Sequence, residues 1–306
     1  MAEQLHLQAA ALRGKLLAHE PMRKHVTWRT GGVAERAYLP ADLDDAAHFL
    51  RTLPPEEAVY FVGLGSNLLV RDGGLRGTAL LMHASNALMR TDGASIYAEA
   101  RVASPKLARY AANQGFQGAE FLAGIPGTVG GALAMNAGCY GGATWDAVRS
   151  VLMLTRAGVL RVRSASDFDV AYRHVELKSG GLGTREWFAA AWFEFMPGDA
   201  AAARNRIKTL LQQRIAAQPL DLPNAGSVFR NPPGDHAARL IEDCGLKGHA
   251  IGGAHVSEKH ANFIVNPAGR GSAADIEALI EHVRATVRAR HGIDLQPEVR
   301  IVGDRA

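Results

Sequence analysis

The stretch 124–142 constrains this chain more than any other, because glycine stands at Gly124, Gly127, Gly130, Gly131, Gly138, Gly141 and Gly142. Glycine weakens helices and strands, so a folded chain gathers it only where the backbone turns tightly or meets a bulky partner without side chains between them. A shorter cluster, Gly63-Leu64-Gly65-Ser66-Asn67, directly follows the apolar run Val59-Tyr60-Phe61-Val62, which reads as a buried strand. A turn at the end of such a strand can present amide N–H groups to a phosphate. The spacing is not that of a dinucleotide-binding βαβ unit, which needs a further glycine where this chain has Leu68, followed by a long helical pattern. No Walker lysine follows the longer cluster. Taken singly, each cluster reads first as tight turns between packed strands; two of them on one β-rich region shift the balance toward a shared ligand.

That region extends over 25–197. Residues 95–102 read as a strand with Ile96, Ala98 and Ala100 on one face, and Ser104-Pro105 as the start of a helix running to Gly115, with serine as N-cap. Residues 149–163 read as a hairpin turning at Ala157-Gly158, and 187–195 as an apolar strand. A helix is expected over 199–217, then a loop-rich boundary over 219–233. Beyond it, Ser272 and Asp275 open a helix with the stripe Ile276, Leu279, Ile280, Val283 and Val287, which Gly292 stops. Residues 298–302 alternate as a strand, and the arm over 1–24 is expected to be helical. The pattern is α+β, with more strand than a doubly wound βαβ series gives.

At 306 residues and 47% hydrophobic content, the chain can fill two or three domain cores. A net charge of +4 from 34 basic and 30 acidic residues is spread thinly, so nucleic acid is not implied; it suits anionic ligands and a solvated mixed-charge surface alike. Cys139 and Cys244 are the only cysteines, which argues against disulfide scaffolds and thiolate metal sites. His255, Glu258 and His260 have offsets that match no zinc motif, so no metal is assigned. The first 25 residues carry no signal-peptide core, and no stretch of about 20 apolar residues suits a membrane span. A cytoplasmic protein is expected.

The segments 63–67, 118–141, 224–232 and 297–303 together resemble the UDP-N-acetylenolpyruvoylglucosamine reductase family. His25-Val26-Thr27-Trp28-Arg29-Thr30-Gly31-Gly32 resembles that family's opening motif, and Tyr172-Arg173 its central tyrosine-arginine pair. The resemblance spans most of the chain in order and spacing. It implies a vanillyl-alcohol-oxidase/PCMH-type FAD-binding domain over 25–197, in two subdomains divided near 85. A smaller C-terminal α/β substrate domain over 198–306 follows, its last strand returning to the flavin site. It implies non-covalent FAD, NADPH as hydride donor, and reduction of UDP-N-acetylglucosamine enolpyruvate to UDP-N-acetylmuramate in peptidoglycan precursor synthesis, by a monomer.

Reducing an enol ether beside a carboxylate needs hydride at the methylene carbon, relief of the negative charge gathering on the carboxylate, and a proton for the ether carbon. On the resemblance, Ser227 donates that proton, Arg173 stabilises charge, and Glu298 hydrogen-bonds the developing enolate as a protonated acid. Their sequence contexts alone read as a Ser turn without a GxSxG elbow, a surface arginine and an exposed strand-start glutamate. Cofactor contacts carried over are Gly63, Leu64, Gly65, Ser66, Asn67, Ile125, Pro126, Gly127, Thr128, Gly131, Ala137, Gly138, Cys139, Arg214 and Arg300. Substrate contacts carried over are Tyr172, Arg230, Asn231, Lys247, His260 and Asn262. Both cysteines also read as small buried hydrophobes.

Only 54 positions separate Arg173 from Ser227 (227 − 173), which leaves little room for the inserted loop with which some family members lay a tyrosine over the substrate; the chain resembles the shorter class. Two other readings stay open. One is a flavin oxidase of the same superfamily, against which the 63–67 loop offers no histidine for covalent attachment. The other is a UDP-sugar-binding protein without flavin, against which the glycine clusters stand intact.

Overall fold

The apolar run following Ala58 forms the strand Val59–Val62, and the sheet it joins explains its composition. In the computed structural model, which describes residues 12–306, it is one edge of a four-stranded sheet ordered Lys15–Pro21, Val33–Leu39, Leu75–Leu81, Val59–Val62. The first pair is antiparallel and the other two are parallel. Parallel neighbours need a crossover, and the helix Leu43–Thr52 lies between Val33–Leu39 and Val59–Val62 in sequence, its first turn capped by the Asp42 carboxylate accepting the Asp45 N–H at 2.9 Å.

A second sheet is antiparallel and five-stranded, ordered Leu160–Ser164, Val148–Thr155, Glu186–Glu194, Ser95–Glu99, Met89–Asp92. Its central strand is buried on both faces. Phe188, Ala191 and Phe193 pack against Leu107, Leu133 and Ile207 of the helices Ser104–Asn113, Val129–Met135 and Ala200–Ala217. Trp187, Ala189 and Ala190 pack the other way against Phe49 and Leu50. Coverage of both faces is why 187–195 reads as continuously apolar instead of alternating.

The C-terminal part packs the helices Ala237–Asp243 and Ala273–His291 with a small sheet of Ala250–Ile251, Ala254–Val256 and Ile264–Val265. Ser272 and Asp275 form the expected capping box, and Gly292 ends the long helix at φ 70°. This part is tied to the rest at several points. Trp28 is fully buried in its core and donates Nε1–H to the Ile264 carbonyl at 2.7 Å. Arg71 grips Glu277 through Nε and Nη2 at 2.9 and 3.0 Å. The strand Arg300–Val302 pairs in parallel with Leu68–Val70.

The architecture is α+β, and four local expectations are corrected. Of the helical arm, 1–11 lie outside the described residues, and Lys15–Pro21 is a strand. It pairs with Val33–Leu39 on one side only and is largely exposed, so no apolar periodicity announces it. The helix after 103 begins at Ser104 with Ala103 as N-cap, and the Ser104 hydroxyl is buried without a partner. The strand in 95–102 ends at Glu99 with every residue buried. Regular pairing near the C-terminus begins at Arg300, not at 298. Among the described residues no helix is long and apolar enough to cross a membrane.

Candidate active site

Every residue assigned from the sequence to the reaction or to the flavin lines one cavity of about 330 Å³. The two glycine clusters adjoin along its lining. A Cβ on Gly63 would stand 2.5 Å from the Thr128 hydroxyl, and one on Gly127 would stand 2.9 Å from Ser66 Oγ. Gly65 holds φ +63°, and a Cβ there would strike the His25 carbonyl oxygen, so glycine is required for conformation and for space. None of the amide N–H groups of 63–67 donates a hydrogen bond within the described chain. Thr128 caps the Val129–Met135 helix by accepting the Gly131 N–H at 3.4 Å.

Another part of the lining carries charge. Arg173 lies in the tight turn joining the strands Phe168–Ala171 and His174–Leu177, at φ 54°, where a non-glycine residue persists only if its surroundings hold it. Its guanidinium supplies that hold, donating to the Gly138 carbonyl at 2.8 Å and the Asn136 carbonyl at 3.3 Å. Arg173 Nε also approaches Glu298 Oε1 at 3.1 Å. Nε–H does not point at that oxygen, so the contact is an ion pair without a well-formed hydrogen bond. Burial pushes the Glu298 pKa up, outweighing the charges of Arg173 and Arg230. A carboxyl that holds its proton longer than usual beside a fixed cation is the combination an acid–base site requires.

Ser227 sits on a loop fixed at both ends. Upstream, the Asn224 carboxamide oxygen accepts the Gly226 N–H at 2.9 Å, with Gly226 at φ 74°. Downstream, the Val228 carbonyl accepts the Glu298 N–H at 2.7 Å, so serine loop and acid share one framework. Asn67 joins that framework to the first glycine cluster, its Nδ2 donating to the Glu298 carbonyl at 3.0 Å while its own carbonyl accepts the Arg300 N–H at 3.0 Å. Arg214 donates Nε–H to Gln218 at 2.8 Å and has no carboxylate partner among the described residues; burial depresses its pKa.

The 218–302 segment matches the family model described as UDP-N-acetylenolpyruvoylglucosamine reductase, C-terminal domain, and the 34–163 segment matches an FAD binding domain. The UDP-N-acetylenolpyruvoylglucosamine reductase of Thiobacillus denitrificans is 56% identical over 97% of this chain and 95% of its own length. The chain belongs to the UDP-N-acetylenolpyruvoylglucosamine reductase family. The enzyme of that name from Alkalilimnicola ehrlichii is 57% identical over 95% of this chain and 96% of its own length. The crystal structure of UDP-N-acetylenolpyruvylglucosamine reductase from Thermus caldophilus aligns with TM-score 0.78 at 29% identity, covering 95% of this chain and 99% of that one.

As a member of this reductase family the chain is an FAD-dependent oxidoreductase, and its residues fit that cofactor. Amide N–H groups of 63–67 without acceptors among the described residues suit a diphosphate, side-chain-free backbone at Gly63 and Gly127 leaves a slot that a Cβ would fill, and Arg214 offers a cation with no carboxylate partner among the described residues. FAD bound here supplies hydride chemistry. Sequence reasoning missed Met135 and Phe263 in the lining; each is apolar within an apolar run and carries no local signal.

The residues assigned to substrate do not line the cavity. Tyr172 is 55% exposed beside it, with the Arg173 guanidinium 5.2 Å from its ring centre. Arg230 Nε is buried without a partner, near Glu298. Asn231 accepts the Ala237 N–H at 3.1 Å and Lys247 pairs with Glu242 at 2.7 Å. His260 accepts the Asn262 N–H through Nδ1 at 3.2 Å, and burial depresses its pKa. Asn262 is 3% exposed with both ends of its carboxamide on Phe229.

Proposed function

We propose that this chain reduces the enolpyruvyl ether of UDP-N-acetylglucosamine enolpyruvate to the lactyl ether of UDP-N-acetylmuramate during peptidoglycan precursor synthesis, with NADPH as hydride source and FAD as carrier. The observation that carries the reading is the contact of Arg173 with Glu298, whose pKa burial raises, in the same cavity as the glycine clusters. When Glu298 is protonated, Arg173 loses its internal counter-charge, and the guanidinium N–H groups not held by the Gly138 and Asn136 carbonyls can bind the substrate carboxylate. Arg173 then holds that carboxylate, and Glu298 donates a hydrogen bond to the oxygen on which charge gathers as hydride arrives at the methylene carbon. Ser227 gives its hydroxyl proton to the ether carbon, so one hydride and one proton add across the double bond, and solvent water restores the serine. Neighbouring positive charge, Arg300 included, lowers the cost of that proton leaving.

Tyr172, Arg230, Asn231, Lys247 and His260 are assigned to the nucleotide sugar in this reading, Tyr172 by its exposed ring at the cavity and the others by family position. The protein acts as a monomer in the cytoplasm, in keeping with its two free cysteines. Anaerobic addition of NADPH to the yellow protein, then of UDP-N-acetylglucosamine enolpyruvate, tests the reading through the flavin absorbance. Bleaching followed by recovery only with the enolpyruvyl sugar is expected; bleaching without recovery would keep the flavin site and reject the substrate.

A further inference from the structure

The loop bearing Ser227 has little regular structure of its own, yet the two residues after it are buried and fully bonded. Val228 and Phe229 are each 1% exposed. One residue accounts for most of that order. The Asn262 carbonyl accepts the Val228 N–H at 2.9 Å, its Oδ1 accepts the Phe229 N–H at 2.9 Å, and its Nδ2 donates to the Phe229 carbonyl at 2.8 Å. The carboxamide thus pairs with Phe229 as an adjacent strand would, in a place where no strand runs. The same two residues face Glu298 from the other side, through the Val228 carbonyl and a bridge between Phe229 and Pro297. Asn262 is also too buried to reach a ligand, at 3% exposure.

We infer that Asn262 is a positioning residue for protonation: its carboxamide, clamped on both backbone groups of Phe229, fixes where the Ser227 hydroxyl stands relative to Glu298. The inference rests on the proposed role of Ser227. It separates the two half-reactions, because accepting hydride from NADPH needs no proton from Ser227, whereas reduction of the enol ether does. Misplacing a reacting group by about 1 Å costs roughly 100-fold. Replacing Asn262 with alanine removes both bonds to Phe229, while Asn262→Asp keeps the size and one acceptor but loses the donor.

The test compares wild type, Asn262→Ala and Asn262→Asp as flavin-loaded proteins. Flavin content, bleaching by NADPH, and the spectral shift on binding the enolpyruvyl sugar to the oxidised protein are expected to match wild type. Reoxidation by that sugar is expected to slow by about 100-fold in Asn262→Ala and less in Asn262→Asp, with a larger solvent deuterium isotope effect on that step. A variant losing flavin, or slowing in both half-reactions by the same factor, would make Asn262 a purely structural brace and overturn the inference, as would unchanged reoxidation. Failure of wild type itself to be reoxidised by the sugar would instead reject the assigned substrate.

Discussion

The two walls of the cavity recognise by opposite means. The glycine wall, 63–67 with 124–131, works through bare backbone and shape; the charged wall, with Arg173, Ser227, Glu298 and Arg300, works through side chains drawn from the middle and the C-terminal end of the chain. The first has no titrating group to lose and tolerates no added atom at Gly65. The second tolerates some change of volume but depends on where a proton sits. An atom added to the backbone of the first wall therefore removes the cofactor, and a lesion in the second leaves a coloured protein that does not turn over.

The largest effect is expected from Gly65→Ala, which places a Cβ against the His25 carbonyl at a φ that L-residues avoid. The purified variant should be colourless, and a yellow one would show that bare backbone at Gly65 is not what the cofactor needs. Next comes Ser227→Ala, which should remain yellow and bleach with NADPH while reoxidation by the enolpyruvyl sugar falls by about 10²- to 10⁴-fold, the usual worth of a positioned proton donor. Equal loss in both half-reactions would erase the contrast between the walls.

Glu298→Gln sharpens the comparison through pH. Burial raises the carboxyl above its ordinary value of 4.5 in the folded protein. Below 4.5 the group is protonated folded or unfolded and costs nothing. As pH rises above that, the unfolded chain ionises first, so stability declines until the folded carboxyl also ionises. Denaturation midpoints measured across this window should fall for wild type relative to Glu298→Gln, and reoxidation by substrate should lose its basic limb in the variant. The smallest effect is expected from Thr128→Ala on the glycine wall, about 1 kcal/mol in denaturant unfolding for a lost helix cap, with flavin content unchanged.

The glycine wall was legible in the sequence because its physics is local: a strand, a turn and missing side chains are neighbours in the chain. The long C-terminal helix was legible for the same reason, since Ser272, Asp275 and Gly292 announce both ends. The charged wall was legible only through family resemblance. Nothing near Glu298 in sequence indicates that Arg173 and Arg230 will face it or that burial will raise its pKa. The Asn262 clamp was hidden too, because a carboxamide that mimics a strand has no periodicity. Lys15–Pro21 escaped as an exposed edge strand whose partner supplies most of its order.

The parallel pairing of Arg300–Val302 with Leu68–Val70 has a consequence for the timing of biosynthesis. Arg300 is the last residue of the cavity lining to leave the ribosome, and Asn67 donates to the carbonyl of Glu298, 231 positions downstream. The glycine wall emerges early and can fold as the chain grows, but it stays open on one side until translation is nearly done. The lining of the flavin cavity is therefore complete only once almost the whole chain has been made.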